Sequence, residues 1–279
     1  MTPADHPDAA PDPADAADAG ASDHPDAAPG PAGAAADARA QRRHWDRDAA
    51  RYLTEHGDYL ETFHWCPERL TEDEARLLGD PADLRGRTVV EIGCGSAPCG
   101  AWVARHGAFV VGIDLSREML AHAPAVDGLA PVQADAARLP LRDACADIVF
   151  SSFGAFPFIG GLDDALREVR RVLRPGGRVV VAANHPMAWV FPDDPGELGL
   201  LACVPYHQRA YEERAEDGTL EYVEYHHTVG DWVRGFAAAG LTLLDVVEPR
   251  WPEGTPEWGQ WSPLRGAVFP GTAVWVAQG

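Results

Sequence analysis

The chain has 279 residues, 46% hydrophobic and 24% charged, a globular composition whose length suits one large or two small domains. It carries 23 basic and 43 acidic side chains for a formal charge of −20, which disfavours nucleic acid and anionic membrane surfaces as partners. Every basic residue is arginine, so Schiff-base chemistry and the lysine-bearing phosphate loop are excluded, because both need a lysine amine.

Residues 1–38 are almost entirely Ala, Asp, Pro and Gly, and the block Asp5–Pro11 recurs as Asp23–Pro29. Such a segment cannot bury enough apolar surface to offset its ordering entropy, so it is expected to be a disordered acidic tail. Trp45, Ala49, Tyr52 and Leu53 then fall at helical spacing and predict an amphipathic helix within an N-terminal helical lid over residues 39–84. From residue 85 onward short β-branched runs alternate with helical stretches. The expected strands are Thr88–Ile92, Phe109–Asp114, Pro131–Gln133, Asp147–Ser151, Arg178–Ala183, Thr242–Val247 and Thr272–Val276. Before the fifth strand, Leu162, Ala165, Leu166, Val169, Val172 and Leu173 form an apolar helical stripe, which Pro175-Gly176-Gly177 is expected to stop. A later helix opens at Thr228 with Asp231 three residues on, a capping-box spacing, and ends at Gly240.

Strand–helix alternation of this length predicts an α/β fold: a doubly wound, mostly parallel sheet with helices on both faces. Residues 186–227 break the rhythm, being rich in Pro, Gly, Glu and aromatics. They are expected to be an insertion at the end of the sheet where open α/β proteins bind ligands. The five cysteines make no CxxC pair and read as reduced thiols of a cytoplasmic protein. No apolar run approaches the ~20 residues of a membrane span, and no secretory signal pattern opens the chain.

The informative segment is Val89-Val90-Glu91-Ile92-Gly93-Cys94-Gly95-Ser96-Ala97-Pro98, an apolar strand entering a tight glycine turn and a helix start. Glycines there permit positive φ and close approach of a ligand to the backbone. The dinucleotide fingerprint GxGxxG fails because Pro98 takes the third glycine's place. Asp114 ends the next strand, where a carboxylate can accept from both hydroxyls of a ribose. Each acid alone also fits a solvated strand end or a helix cap; the glycines, Glu91 and Asp114 together favour a ligand site.

These residues resemble the class I S-adenosylmethionine-dependent methyltransferases. Glu91–Gly95 looks like that family's first motif, Gly112–Ser116 its second-strand acid, and Gln133-Ala134-Asp135-Ala136 its adenine-contacting segment. Asp147–Ser151 resembles the fourth-strand motif, and Leu173–Gly177 the turn before strand five. The resemblance covers roughly residues 85–185 and departs at Ala97, where members usually carry a further glycine. It implies a Rossmann-like, seven-stranded sheet with the last strand antiparallel, and S-adenosyl-L-methionine as cofactor. It further implies that Gly93, Cys94 and Gly95 pass beneath the methionine portion, Glu91 orients its ammonium and Asp114 holds the ribose hydroxyls. Asp135 would meet the adenine amino group, with Leu115, Met119 and Ala136 packing the ring. Ser151 would offer its backbone to the methionine amino group, and Tyr52 would reach the cofactor from the N-terminal helix.

Methyl transfer from a sulfonium needs in-line positioning, desolvation and sometimes a base. Histidine is the natural base near neutral pH. His185 and His227, with His226, are the candidates, though any single one reads more readily as a hydrogen-bonded structural histidine. No spaced His/Cys/acid set points to a metal. Trp45, Tyr52, Phe63 and Trp65, with the aromatics of the insertion, could cover an acceptor. The expected activity is methylation of a small, largely apolar molecule at an oxygen, by a cytoplasmic monomer or homodimer. The competing readings are a nicotinamide-dependent oxidoreductase and a non-catalytic ligand-binding protein on the same fold.

Overall fold

The computed structural model of the chain describes residues 31–279. The tail expected over residues 1–38 lies outside them up to residue 30, and residues 31–38 are helical. The first helix, α1, runs Pro31–Glu55, beginning in alanine-rich sequence with high helix propensity. Ala40, Gln41 and Ala49 are its buried side. A single turn, α2 (Glu72–Ala75), is fixed by a reciprocal capping box between Thr71 and Glu74.

Strands β1 (Thr88–Ile92), β2 (Phe109–Asp114), β3 (Leu129–Gln133), β4 (Ala146–Ser151) and β5 (Leu173–Asn184) follow in order. Helix α3 (Pro98–Arg105) leaves β1, α4 (Arg117–Leu120) leaves β2, and α5 (Leu162–Val172) connects β4 to β5. After the insertion come α6 (Val229–Ala238), β8 (Thr242–Val247), α7 (Pro263–Gly266) and β9 (Thr272–Gln278). The main sheet has the order β3-β2-β1-β4-β5-β9-β8. Its first five strands pair in parallel, and β9 lies antiparallel to both β5 and β8, as the resemblance implied. Strand order reverses between β1 and β4, so their C-terminal ends frame the crevice where such sheets bind ligands.

The residues account for this layering. Val89, Val90, Glu91 and Ile92 are all buried, because β1 is covered on both faces. Helix α5 buries Leu162, Ala165, Leu166, Val169 and Val172, and it carries Asp163 and Asp164 in its first turn and Arg170 and Arg171 in its last, complementing its dipole. One face of the sheet packs Leu166, Val169, Trp232, Phe236 and Trp275. The other packs Phe63, Trp65, Trp102 and Phe150. Phe63 and Trp65, considered above as lid aromatics, are therefore core: they contact Phe150 with ring centroids 5.3 and 5.8 Å away.

Helix α5 stops at Val172, ahead of Pro175. Leu173 already pairs with Ala146, and Pro175–Gly177 form a bulge with Gly176 at φ +73°. The insertion at 186–227 contains two 3₁₀ turns and a two-stranded ribbon, β6 (Ala210–Arg214) with β7 (Leu220–Tyr225). The Thr228–Asp231 capping box forms as its spacing predicts.

Candidate active site

The turn after β1 is held by β2. Gly93 and Cys94 donate their N–H groups to the Ile113 carbonyl at 2.8 and 3.0 Å, and Gly95 N–H donates to Asp114 Oδ2 at 2.7 Å. Gly93 has φ +69°, and a Cβ there would stand 2.5 Å from the Ala155 Cβ. Ala97 has φ +56°, in the left-handed region, and Pro98 takes the first position of α3. The other oxygen of Asp114 accepts from Ser116 N–H at 2.8 Å. The Ser116 hydroxyl donates to Asp46 Oδ1 at 2.7 Å, which ties α1 to this turn.

A cavity of about 430 Å³ opens above the turn, within the usual range for small-ligand sites. It brings together Tyr52, Glu91, Gly93, Cys94, Gly95, Asp114, Leu115, Met119, Asp135 and Ala136. Ser151 is buried beside it without lining it, and Ser152 takes its place, anchored by donation to the His64 carbonyl at 2.7 Å. The Asp135 carboxylate accepts from Ala137 N–H at 2.9 Å, which orients it at the rim.

Burial dominates the electrostatics. The Glu91 carboxyl is enclosed, and this desolvation, reinforced by the nearby Asp114 charge and opposed by the Gly100 N–H, pushes its pKa up to about 8. Gly100 makes room for it: a Cβ there would stand 2.5 Å from Glu91 Oε2, an oxygen with no hydrogen-bond partner. Burial also raises the Asp114 pKa, against the backbone N–H groups that stabilise its charge. The Tyr52 phenol is raised as well, again chiefly by burial.

The candidate bases are a correction. Neither His185 nor His227 lines the cavity. His185 caps a 3₁₀ turn, its Nδ1 accepting from Met187 N–H at 3.1 Å while Nε2 pairs with Glu248 at 2.9 Å. His227 Nε2 is 3.0 Å from the Ile159 carbonyl, and His226 stacks on Trp189 with ring centroids 5.0 Å apart. Burial lowers all three pKa values, that of His226 to about 4. All three sit outside the cavity lining, each held by a hydrogen bond or a ring contact.

The far wall holds residues the sequence did not single out: Asn184, Asp193 and Glu224, with Tyr59, Phe153, Trp258 and Trp261. Tyr222 alone represents the six aromatics of the insertion. Asn184 Nδ2 donates to Glu224 Oε1 at 3.0 Å, and the Tyr222 hydroxyl to Glu224 Oε2 at 3.3 Å. One signal was available: the strand period of two places Tyr222 and Glu224 on the same face of β7.

The residues fit a cationic nucleoside-bearing ligand. Glu91, Asp114 and Asp135 line the near end, and among the described residues no arginine or histidine lines the cavity. The orphaned Glu91 Oε2 and the spare lone pairs of Asp114 can accept from an ammonium and from ribose hydroxyls. Among the described residues no group of His, Cys, Asp and Glu could hold a metal ion, and no helix is long and apolar enough to cross a membrane.

Comparison with known proteins agrees. A family described as a methyltransferase domain matches residues 90–181. Malonyl-[acyl-carrier protein] O-methyltransferase of Pectobacterium atrosepticum is 32% identical over 171 residues, 53% of this chain and 66% of that protein. Demethylmenaquinone methyltransferase of Mycobacterium marinum is 34% identical over 148 residues, covering 53% of this chain and 61% of its own length. The chain thus spans just under two thirds of these relatives. The crystal structure of an S-adenosylmethionine-dependent methyltransferase from Mesorhizobium loti superposes with a TM-score of 0.59 at 23% identity, over 74% of this chain and 95% of the other, and shares the fold.

Proposed function

The chain belongs, through its domain at residues 90–181, to the class I S-adenosylmethionine-dependent methyltransferases, and on that premise we propose that it methylates a small, largely apolar molecule at an oxygen. The observation that carries this reading is the meeting of the Asp114 carboxylate and the Gly93–Gly95 turn on the floor of one aromatic-walled cavity. S-adenosylmethionine, when bound, supplies an electrophilic methyl group on a sulfonium.

The protein's own residues bind, orient and exclude water. Asp114 accepts from the ribose hydroxyls, and its bonds to Gly95 and Ser116 fix both carboxylate oxygens in advance. Glu91 faces the ammonium of the methionine portion, which favours its ionised form. Asp135 takes the adenine amino group, between Leu115, Met119 and Ala136. Tyr52 and Trp45, on α1, close the cavity as a helical lid. The Ser152 segment serves the methionine end in place of Ser151. A cytoplasmic setting is supported by the five cysteines, all free, of which Cys66, Cys94 and Cys99 are buried.

Calorimetry with S-adenosylhomocysteine tests the cofactor assignment. Wild type is expected to bind, and Asp114→Ala to lose about a hundredfold in affinity, as expected from two hydrogen bonds to a charged group. Absence of binding by wild type, or unchanged affinity in the variant, would sink the assignment. Transfer of labelled methyl groups into a host extract then identifies the acceptor.

A further inference from the structure

We propose that Glu224 is the general base of this cavity, and that the acceptor it serves is a neutral hydroxyl-bearing aromatic molecule rather than a carboxylic acid or a phosphate ester. The proposal rests on the methyltransferase reading and names the substrate class at the same site.

Position comes first. Glu224 lies on β7 of the insertion, and Asn184 ends β5 at the carboxyl edge of the sheet, so both stand across the cavity from the glycine turn. Each Glu224 oxygen accepts one hydrogen bond, from Asn184 at 3.0 Å and from Tyr222 at 3.3 Å. A carboxylate has about four acceptor sites, so each oxygen keeps one free for an acceptor hydroxyl. The strand that carries it is braced by α1, where Gln41 donates to the Val223 carbonyl and Asp37 accepts from the Tyr225 hydroxyl.

The surroundings suit a base. Desolvation, with the charge of Asp193, pushes the Glu224 pKa up to about 7, where a base is both ionised and able to take a proton. Asp193 is reached by solvent through the cavity, and the protein around it still raises its own pKa. Around it, Asp37 of α1 lines the same cavity, His44 of α1 packs on the Tyr222 ring, and Glu213 of β6 acts with Glu224 on the Tyr222 phenol. The cations near this wall stay outside the lining: Arg43 and Arg47 of α1 reach the Leu220 carbonyl at 3.0 Å and Glu221 at 3.8 Å on β7, and Arg265 lies beside Asp193. The Arg265 guanidinium donates to the Gln260 carbonyl at 2.7 Å and sits 5.3 Å from the Trp261 ring centroid.

The same inventory sets the acceptor's charge. Among the described residues no arginine or histidine lines the cavity, so the protein gives an acceptor carboxylate or phosphate beside Asp193 and Glu224 repulsion and no counter-charge of its own. A neutral hydroxyl meets no such penalty, and Trp45, Phe158, Trp258 and Trp261 offer flat apolar walls for a ring system. Two further polar atoms point to a ligand. Gln41 Oε1 and the Tyr59 hydroxyl belong to cavity-lining residues that are 2% and 8% exposed, and neither has a hydrogen-bond partner. In the reaction the acceptor O–H bond breaks and its proton goes to Glu224. The oxygen's electron pair forms the new O–CH₃ bond, and the pair of the broken methyl–sulfur bond stays on sulfur, leaving a neutral thioether.

The test uses the full chain loaded with S-adenosylhomocysteine and follows tryptophan fluorescence on titration with 2-naphthol, 2-naphthoate and 2-naphthylmethylamine at mildly alkaline pH. Naphthol is expected to bind at least about tenfold more tightly than naphthoate, and Glu224→Gln to narrow that ratio to within about threefold. Calorimetry of S-adenosylhomocysteine should be unchanged in Glu224→Gln, which separates failure here from failure of the cofactor assignment. Asp193→Asn, expected to narrow the same ratio in part, serves if Glu224→Gln does not fold. Infrared spectra taken as wild type minus Glu224→Gln, so that the Glu91 carboxyl cancels, should show a protonated-carboxyl band that titrates near neutral pH. Naphthoate binding as tightly as naphthol, the amine binding more tightly than either, no naphthol binding, or no such band in that difference each overturns the proposal.

Discussion

The near and far ends of the cavity are built in different ways. The floor is local: the Gly93–Gly95 turn follows β1 and Asp114 ends its parallel neighbour β2, and the turn's backbone N–H groups bind the Ile113 carbonyl and the Asp114 carboxylate. The far wall is assembled from α1, the β6–β7 ribbon and residues 251–262. Its ties join residues 182, 188 and 202 positions apart: Gln41 to Val223, Asp37 to Tyr225 and His56 to Trp258. A floor made of backbone tolerates little change but serves one ligand well, whereas a wall made of side chains on separate segments can be refitted to different acceptors.

The largest effect expected at the floor is the pH response of Glu91. Its folded pKa of about 8 lies above the ordinary 4.5, so the folded state holds this proton more tightly than the unfolded chain does. The stabilisation is complete below about pH 4.5 and is lost as pH rises to about 8, at roughly 1.4 kcal/mol per unit, or about 4–5 kcal/mol in all. Glu91→Gln removes the titration. Denaturant melts of the two proteins between pH 5 and pH 9 should therefore diverge as pH rises, with the variant the more stable at the alkaline end. Parallel curves would mean that Glu91 is hydrated and that the floor is as open as the wall.

Next in size is the contrast between two glycines in the left-handed region. Gly93→Ala at the floor drives a Cβ to 2.5 Å from the Ala155 Cβ and is expected to cost about 3 kcal/mol, with loss of S-adenosylhomocysteine binding. Gly254→Ala in the far segment, at φ +79° with nothing within 4 Å, should cost only about 1 kcal/mol and leave that binding intact. Equal costs would erase the distinction between the two ends.

The same difference explains what could be read from sequence. Thr88–Ile92, Phe109–Asp114 and Thr242–Val247 are strands over the expected residues, because local β-propensity and flanking turns decide them. The residues on the cavity floor were legible because glycine turn and acid lie on consecutive strands at a spacing set by one helix. Strand β4 ends at Ser151, and the cavity meets the next residue, Ser152, where the chain leaves the sheet. Glu224 was not legible. Leu220–Tyr225 falls inside a stretch readable only as an insertion, and its packing on α1, far away in sequence, places Tyr222 and Glu224 at the site. The place of His185 and His227 outside the cavity was hidden for the matching reason: their nearness to sheet and cap was visible, but the partners that hold them, Glu248 and the Ile159 carbonyl, were not.

Those histidines supply a smaller test of the far wall. His185→Ala and His227→Ala should each lower stability by about 1 kcal/mol through a lost hydrogen bond. Transfer of labelled methyl groups to the acceptor should continue at close to the wild-type rate. A tenfold fall in turnover with S-adenosylhomocysteine affinity retained would return the base to histidine and take it from Glu224.

The smallest effect concerns the one departure from the family pattern. Ala97 stands where a further glycine is usual, and its φ of +56° shows why glycine is favoured there: an L side chain in this region crowds its own backbone. Ala97→Gly relieves that strain but loses a buried methyl group, since Ala97 is 0% exposed, and it frees the unfolded chain. Strain relief of about 1–2 kcal/mol against roughly 0.8 for the methyl group and a few tenths for chain entropy leaves a net gain of about 0.5 kcal/mol. Chemical denaturation should show this gain with an unchanged denaturant slope, and calorimetry should show S-adenosylhomocysteine affinity altered by less than about threefold. A loss of stability would mean that the Ala97 methyl, packed beside Gly112, supports the turn more than its backbone strain opposes it.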